Sequence, residues 1–282
     1  MTMDAAGHPL QGRCVLLRGG GDLATGVAAR LHRSGFKVVV TEIAQPLAVR
    51  RLVALAEAVY AGVVDIEDLH GVRVEDPAAA LHVLSQGHIP VLVDPDAFSR
   101  HVLRPFAIVD ARMLKTPPEL PMDDTGMLIG LGPGFNAGEN CHAVVETNRG
   151  HRLGRVIHSG TAQADTAVPE AVIGIDRARV LRAPADGILE AYVELGVILG
   201  KGERIASVAG KDILAPFDGA LRGLIHPGVP VRSGMKVGDL DPRGERKYCE
   251  WISDKALAIG GGVLEALLCD TETRSVLCDP CV

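Results

Sequence analysis

The chain has 282 residues, of which 47% are apolar and 23% are charged, a composition typical of folded globular proteins and too apolar for a disordered chain. The formal charge of −6 and the aromatic content of 3% argue against a nucleic-acid partner. No apolar run reaches 18 residues, and residues 1–13 lack the regions of a secretory signal, so we expect no membrane contact and a cytoplasmic location.

The first predicted elements are a strand at 15–17, a glycine turn, a helix from Leu23 and a second strand at 36–42. This alternation is typical of a Rossmann-like parallel sheet, so we expect an α/β fold with its first domain at 12–114.

The glycine turn fits the pattern G-x-G-x-x-A, with Gly19, Gly20 and Gly21 followed by Asp22. Such glycines let a pyrophosphate approach the backbone at the start of a helix. Glu42 lies 23 residues after Gly19, at the end of the second strand, where a carboxylate accepts hydrogen bonds from a ribose. The alternative is that the glycines form only a tight turn and that Asp22 caps the helix.

Segment 47–60 has helical periodicity, and its Arg50 and Arg51 either reach a ligand phosphate or lie on a solvated face. A short β-insertion is predicted at 63–75.

Two further predicted strands end in Asp94 and Asp110. Because parallel strands place their carboxyl ends at one edge, we expect these carboxylates to converge with Asp22, and a bound Mg²⁺ would relieve their repulsion. In the alternative, Asp94 and Asp110 only begin turns.

Three prolines in 115–121 predict a boundary, followed by a glycine-rich middle region at 115–180. It contains an apolar strand that runs into a glycine loop at Gly132. A second strand ends in Glu146, Arg149 and His151, a group able to bind an anion or transfer a proton. The alternative is a polar turn with solvated side chains.

Residues 181–242 contain a two-fold repeat, in which 183–187 (Ala-Pro-x-Asp-Gly) recurs at 215–219 with an offset of 32 residues. The two halves predict a small pseudo-symmetric β domain that resembles the barrel-sandwich hybrid domains carrying biotin or lipoyl groups. Lys211, between the halves, lies close to the second Ala-Pro and has no neighbouring methionine. We therefore expect neither biotin nor lipoate.

The last predicted element is a helix within 243–268, capped by Ser253. Three glycines at 260–262 weaken a helix, which indicates that another element or a ligand approaches its backbone closely. Residues 269–282 form a tail whose Cys278 and Cys281 we interpret as a frayed end.

Several of these motifs together resemble a known family. Residues 17–28, 130–135, 146–151 and 253–262 are similar to the YqeB-type accessory proteins of selenium-dependent molybdenum hydroxylase systems. The first unit also resembles the Rossmann domain of the XdhC-type chaperones, whose glycine turn usually carries histidine at the position of Asp22.

The resemblance implies an accessory protein that handles a molybdopterin dinucleotide or another dinucleotide, with a client molybdenum hydroxylase as its partner. Gly19, Gly21 and Glu42 suit a nicotinamide dinucleotide equally well. An NAD(P)-dependent oxidoreductase is therefore the alternative.

Overall fold

The computed structural model describes residues 13–122, 126–164, 172–174 and 177–269. Within these residues the protein is a mixed α/β structure with one large, mainly parallel sheet of nine strands and two antiparallel sheets of four strands each.

The large sheet has the order β10-β9-β7-β6-β1-β2-β5-β4-β3. Its strands are β1 Cys14–Arg18, β2 Lys37–Glu42, β3 Val63–Ile66, β4 Leu69–Val74, β5 Ile89–Val93, β6 Ala107–Asp110, β7 Met127–Leu131, β9 Ala143–Val145 and β10 Val156–Ile157. The outermost strands β3 and β10 are antiparallel to their neighbours, and the others run parallel. A separate pair joins β8 Asn136–Ala137 to β11 Gly160–Thr161.

The strand order reverses beside β1. The chain runs outward through β2 towards β5 on one side and then returns to form β6 on the other side. Residues 15–17 and 107–109 are fully buried, as expected for central parallel strands that are covered on both faces. The predicted β-insertion at 63–75 is confirmed as β3 and β4.

Helices cover the sheet, and two of them pack against each other at glycines. The described helical elements are α1 Asp22–Arg33, 3-10 turns at Arg51–Val53, Leu55–Glu57 and Arg177–Arg179, α2 Ala58–Ala61, α3 Pro77–Ser85, α4 Arg100–Leu103, α5 Lys247–Glu250 and α6 Asp254–Cys269. A Cβ at Gly26 of α1 would lie 2.5 Å from Ala256, and a Cβ at Gly260 of α6 would lie 2.5 Å from the Gly26 carbonyl oxygen. The close approach indicated by the glycines of α6 is therefore to another helix at Gly260, whereas Gly262 approaches the Gly154 carbonyl oxygen in the loop between β9 and β10.

The large sheet extends across the expected division at residue 114. Strands β7, β9 and β10 come from the glycine-rich middle region but pair in the same sheet as β1.

The N–H of Ala256 donates to Ser253 Oγ at 3.2 Å, which confirms the predicted cap of α6.

The helix predicted over 47–60 is wrong for most of its length, since the segment forms two 3-10 turns and the short α2. Its backbone groups bond to other elements. The Val49 carbonyl accepts from the N–H of Leu224 at 2.9 Å, and the N–H of Ala56 donates to the Gly20 carbonyl at 2.8 Å. These outside partners replace the i to i−4 bonds of a regular helix.

The repeat region forms the two antiparallel sheets, with orders β12-β19-β17-β14 and β16-β15-β13-β18. The strands are β12 Val180–Arg182, β13 Gly187–Ala191, β14 Ile198–Leu199, β15 Arg204–Val208, β16 Lys211–Leu214, β17 Gly219–Leu224, β18 Pro230–Val231 and β19 Lys236–Asp241. A shift of 32 residues carries β13 to the start of β17 and β14 onto β18, and it relates the two sheet orders. We call this unit the repeat module.

The two halves of the repeat module bind each other through matching turns. Asp186 accepts from the N–H of Ser233 at 2.7 Å, and Asp218 accepts from the N–H of Lys201 at 2.7 Å. The strand pairing thus follows the repeat in the sequence. That Lys211 carries no cofactor stays a prediction.

None of the described helices has the length and apolar character needed to cross a membrane. The predictions for Cys278 and Cys281 fall on residues 270–282, outside the described residues.

Candidate functional site

The candidate site lies at the carboxyl edge of the large sheet, where the strand order reverses between β1 and β6. The glycine turn leaves β1 at this point and leads directly into α1. Open α/β sheets bind their ligands at such a reversal, because the loops on its two sides diverge and leave a crevice.

The three glycines of the turn have different roles. Gly19 has φ +91°, a conformation that favours glycine, and a Cβ at Gly20 would lie 2.8 Å from the backbone nitrogen of Ala56. Gly21 has an ordinary φ of −67°, and a Cβ there would meet nothing within 4 Å. The fold itself therefore requires glycine at 19 and 20, whereas Gly21 leaves space open at the start of α1.

Glu42 lies beside this turn, as predicted, but its carboxylate binds protein amides. It accepts from the N–H of Gly20 and from the N–H of Ile43, each at 2.8 Å. These bonds fix the carboxylate at the end of β2. Each oxygen retains further acceptor capacity, so the arrangement is compatible with a ribose.

Asp22 begins α1 and faces positive charge. Its carboxylate lies 3.6 Å from Arg50 Nη1, while Arg50 Nη2 donates to the carbonyls of Tyr248 and Trp251 at 3.1 Å. Burial lowers the pKa of Arg50, and the Asp22 charge opposes that shift.

Lys236 on β19 is a second cation near Asp22. Desolvation lowers the pKa of Lys236, and the charges of Asp239 and Asp22 oppose that shift. Cations from two other parts of the chain thus offset the Asp22 charge.

A buried ion pair lies on the other side of the turn. Arg18 Nη1 is 3.3 Å from Asp110 Oδ2, and the side chains of these two residues are 2% and 1% exposed. Arg112 binds the same carboxylate through Nε at 2.9 Å and Nη2 at 2.6 Å. Asp110 therefore serves to orient two arginines at the reversal point.

Glu119 completes this group from the proline-containing segment that follows β6. Its carboxylate accepts from Arg112 Nη2 at 2.8 Å, Arg112 Nη1 at 3.4 Å and Arg18 Nη1 at 3.4 Å. Hydrogen bonding to Arg112 lowers the pKa of Glu119 to about 2. Burial alone lowers the pKa of Arg112, but its bonds to Asp110 and Glu119 outweigh burial and raise it.

Local structure accounts for two other predicted residues. Asp94 accepts from the N–H of Phe98 at 2.9 Å and from the N–H of Ser99 at 2.7 Å, and so begins a turn. Gly132 has φ +86°, and a Cβ there would lie 3.1 Å from Met113 Cε. Both residues shape loops at the carboxyl edge.

The prediction that Asp22, Asp94 and Asp110 converge is confirmed only in part, since all three residues lie at this edge of the sheet. Their carboxylates bind separate protein groups, and the bridging Mg²⁺ stays a prediction. Among the described residues, no group of three or more His, Cys, Asp or Glu side chains is placed to hold a metal ion.

The grouping of Glu146, Arg149 and His151 is not found. Buried Glu146 accepts from the N–H of Asn148 at 2.7 Å and of Gln163 at 2.8 Å, and so holds two loops together. Arg149 binds Asp254 through two nitrogens, at 2.7 and 2.9 Å. His151 is exposed on the loop surface. Adjacency in sequence did not bring the three side chains together, because Glu146 and Arg149 bind different parts of the structure and His151 lies on the surface.

Sequence reasoning missed Arg112, Glu119 and Lys236 as members of the site. An arginine two residues after the strand-end Asp110 was a usable signal, whereas Glu119 and Lys236 gave none. Of the two alternatives for Arg50 and Arg51, the solvated face is wrong, since Arg50 is 9% exposed and Arg51 Nε donates to the Leu224 carbonyl at 2.8 Å.

Comparison with known proteins agrees with one part of the resemblance noted above, the likeness to YqeB-type proteins. No family model matches the chain. The chain is 46% identical over 261 residues to the uncharacterized protein YqeB of Escherichia coli (strain K12). The alignment covers 93% of this chain and 48% of that protein, so the chain spans about half the length of the relative.

Solved structures give a weaker likeness. The ectoine utilization protein EutE (DoeB) from Ruegeria pomeroyi is 14% identical with a TM-score of 0.25, and an aspartoacylase family protein from Mesorhizobium loti is 14% identical with a TM-score of 0.27. Each comparison covers 82% of this chain and 85% of the other. TM-scores in this range do not establish a shared fold.

Proposed function

We propose that this chain is an accessory protein that binds a molybdopterin-type dinucleotide, or a related nucleotide, and serves the maturation of a selenium-dependent molybdenum hydroxylase. In this proposal the nucleotide's pyrophosphate lies at the glycine turn, over the first amides of α1. The client hydroxylase is the protein partner.

The observation that carries the proposal is the open space at Gly21. This residue is the N-cap of α1 and offers no side chain to the first-turn amides. Those N–H groups and the helix dipole favour a phosphate. Because backbone conformation explains Gly19 and packing explains Gly20, but neither explains Gly21, the space beside Gly21 is available for a ligand.

The charge around Asp22 is compatible with a phosphate. Arg50 faces the Asp22 carboxylate at 3.6 Å, and Lys236 lies within electrostatic range of it. These cations reduce the repulsion that an isolated aspartate would exert.

Two features of the fold, the order of the large sheet and the repeat module, also support the proposal. The reversal beside β1, followed by a glycine turn and a helix, is what a Rossmann-like nucleotide-binding unit requires. The two related sheets of the repeat module are compatible with a barrel-sandwich-hybrid-like domain, which in this proposal carries no modified lysine.

An NAD(P)-dependent oxidoreductase is the second candidate, and Glu42 is the observation in its favour. A carboxylate held beside the glycine turn suits the ribose of either ligand. Mass spectrometry of the small molecules released from the denatured, freshly purified protein separates the two. We expect a pterin-containing dinucleotide. A nicotinamide dinucleotide in its place would favour the oxidoreductase.

Substitution of Gly21 tests the site itself. We expect Gly21→Val to reduce dinucleotide binding in calorimetry by more than about tenfold, because a branched side chain would occupy the space for the phosphate. The fold should tolerate it, since no protein atom lies within 4 Å of the added Cβ. Gly261→Ala, also in open space, is the control. Binding by Gly21→Val at the wild-type level, with an unchanged circular dichroism spectrum, would refute the site.

A further inference from the structure

We propose a second anion-binding subsite, the arginine cradle, formed by Arg18 and Arg112 and occupied in this structure by the carboxylate of Glu119. It would receive a carboxylate or phosphate of the ligand other than the pyrophosphate at the glycine turn. This inference rests on the proposed function, because the cradle adjoins the same turn, where a Cβ at Gly19 would lie 3.3 Å from Arg112 Cγ.

The cradle presents three N–H donors to one carboxylate. Arg112 uses Nη1 and Nη2, at 3.4 and 2.8 Å, on the two oxygens of Glu119, and Arg18 Nη1 adds a third contact at 3.4 Å. This paired geometry is how guanidinium groups recognise carboxylates and phosphates.

The two other members of the group hold the donors in place. Asp110 is buried and binds both arginines, and the Pro95 carbonyl accepts from Arg18 Nη2 at 2.8 Å. Arg18 Nε is buried without a hydrogen-bond partner among the described residues. The arginines are thus fixed before any ligand arrives, which lowers the entropy cost of binding.

The charges favour exchange of Glu119 for a ligand anion. Asp110 neutralises one of the two arginines, which leaves one positive charge for Glu119 to balance. The Glu119 side chain is 67% exposed, and ion pairs of exposed carboxylates contribute little stability. The neighbouring Leu120 is buried and anchors the segment, so Glu119 can leave by rotation of its side chain alone.

This exchange predicts opposite effects for two substitutions. Glu119→Gln removes the internal competitor, so the dissociation constant for inorganic phosphate or for acetate should fall about two- to tenfold. Arg112→Gln should abolish binding of the same anion. The measurement is NMR titration followed at the arginine Nε–Hε signals, with each anion tested separately to show whether phosphate or carboxylate is preferred.

Two further variants make the outcome unambiguous. Glu75→Gln removes another exposed carboxylate paired with an arginine, Arg73, and should leave anion binding unchanged. In Gly21→Val, acetate should still shift the arginine Nε–Hε signals as in the wild type, because the cradle is a separate subsite. Should Glu119→Gln bind both anions no better than the wild type, the cradle is refuted, even where Gly21→Val abolishes dinucleotide binding. Should the Glu119→Gln effect hold while the wild type binds no dinucleotide, the cradle stands and the proposed function fails.

Discussion

Arg149 and Asp254 join the loop after β9 to the first turn of α6. Two guanidinium nitrogens of Arg149 bind the two oxygens of Asp254, and this hydrogen bonding lowers the pKa of Asp254 to about 2. A carboxylate at the N-terminus of a helix also interacts favourably with the helix dipole. What was expected to be a binding group is therefore a structural contact.

The pair predicts a defined pH dependence. Because the folded pKa of Asp254 lies below the unfolded value of about 3.9, its contribution is present above pH 4 and is lost as the pH falls towards 2. Arg149→Gln should raise the pKa of Asp254 towards its ordinary value. It should also lower the free energy of unfolding at pH 7 by less than about 1 kcal/mol, since the pair is largely exposed.

NMR titration of the Asp254 carboxyl carbon and urea unfolding at pH 7 and pH 3 measure these two effects. Arg152→Gln, which changes an exposed arginine of the same loop, is the control. An Asp254 pKa that stays at about 2 in Arg149→Gln would show that another group sets it.

Among the elements, α6 shows how glycines in a helix serve packing. Gly260 faces α1, where a Cβ would lie 2.5 Å from the Gly26 carbonyl oxygen, whereas a Cβ at the adjacent Gly261 would meet nothing within 4 Å. The two positions share backbone conformation and intrinsic helix propensity. They differ only in their surroundings.

Alanine substitutions at these positions should therefore have opposite effects. Gly261→Ala should be neutral or stabilise the protein by up to about 1 kcal/mol through helix propensity. Gly260→Ala should destabilise it by about 1–3 kcal/mol, because a contact with backbone forces the helices apart. Urea denaturation of both variants measures the difference. Equal free energies of unfolding would show that α1 can move away from Gly260 without loss of stability.

The elements also show how far the sequence alone reaches. Periodicity and glycine placement predicted β1, α1, β2 and the Ser253 cap, because these features depend on local pattern. The regular helix at 47–60 failed because Val49 and Ala56 bond to distant residues. At the site, the turn and Glu42 follow from spacing, whereas the contact between Arg112 and Glu119 depends on the path of a proline-containing loop.

At the scale of the whole molecule, one segment links the repeat module to the glycine turn. The Val49 carbonyl accepts from the N–H of Leu224 on β17, and Arg50 next to it reaches Asp22 at the start of α1. A few residues later, Ala56 binds the Gly20 carbonyl. Displacement of this segment should therefore affect the repeat module and the candidate site together.

Gly223 on β17 provides a direct test of this coupling. A Cβ there would lie 2.7 Å from Val49 Cγ1 and 2.8 Å from the Val49 carbonyl oxygen, so Gly223→Ala must push the linking segment away from the repeat module. We expect a loss of about 1–3 kcal/mol of stability, typical of overpacking, and faster amide exchange in residues 47–57. Dinucleotide affinity should also fall, because Arg50 and Ala56 support the turn. Gly200→Ala, in the same module with its nearest atom at 3.8 Å, is the matched control and should change none of these three properties. If Gly223→Ala matches Gly200→Ala in stability, exchange and affinity, the repeat module does not influence the site through this segment.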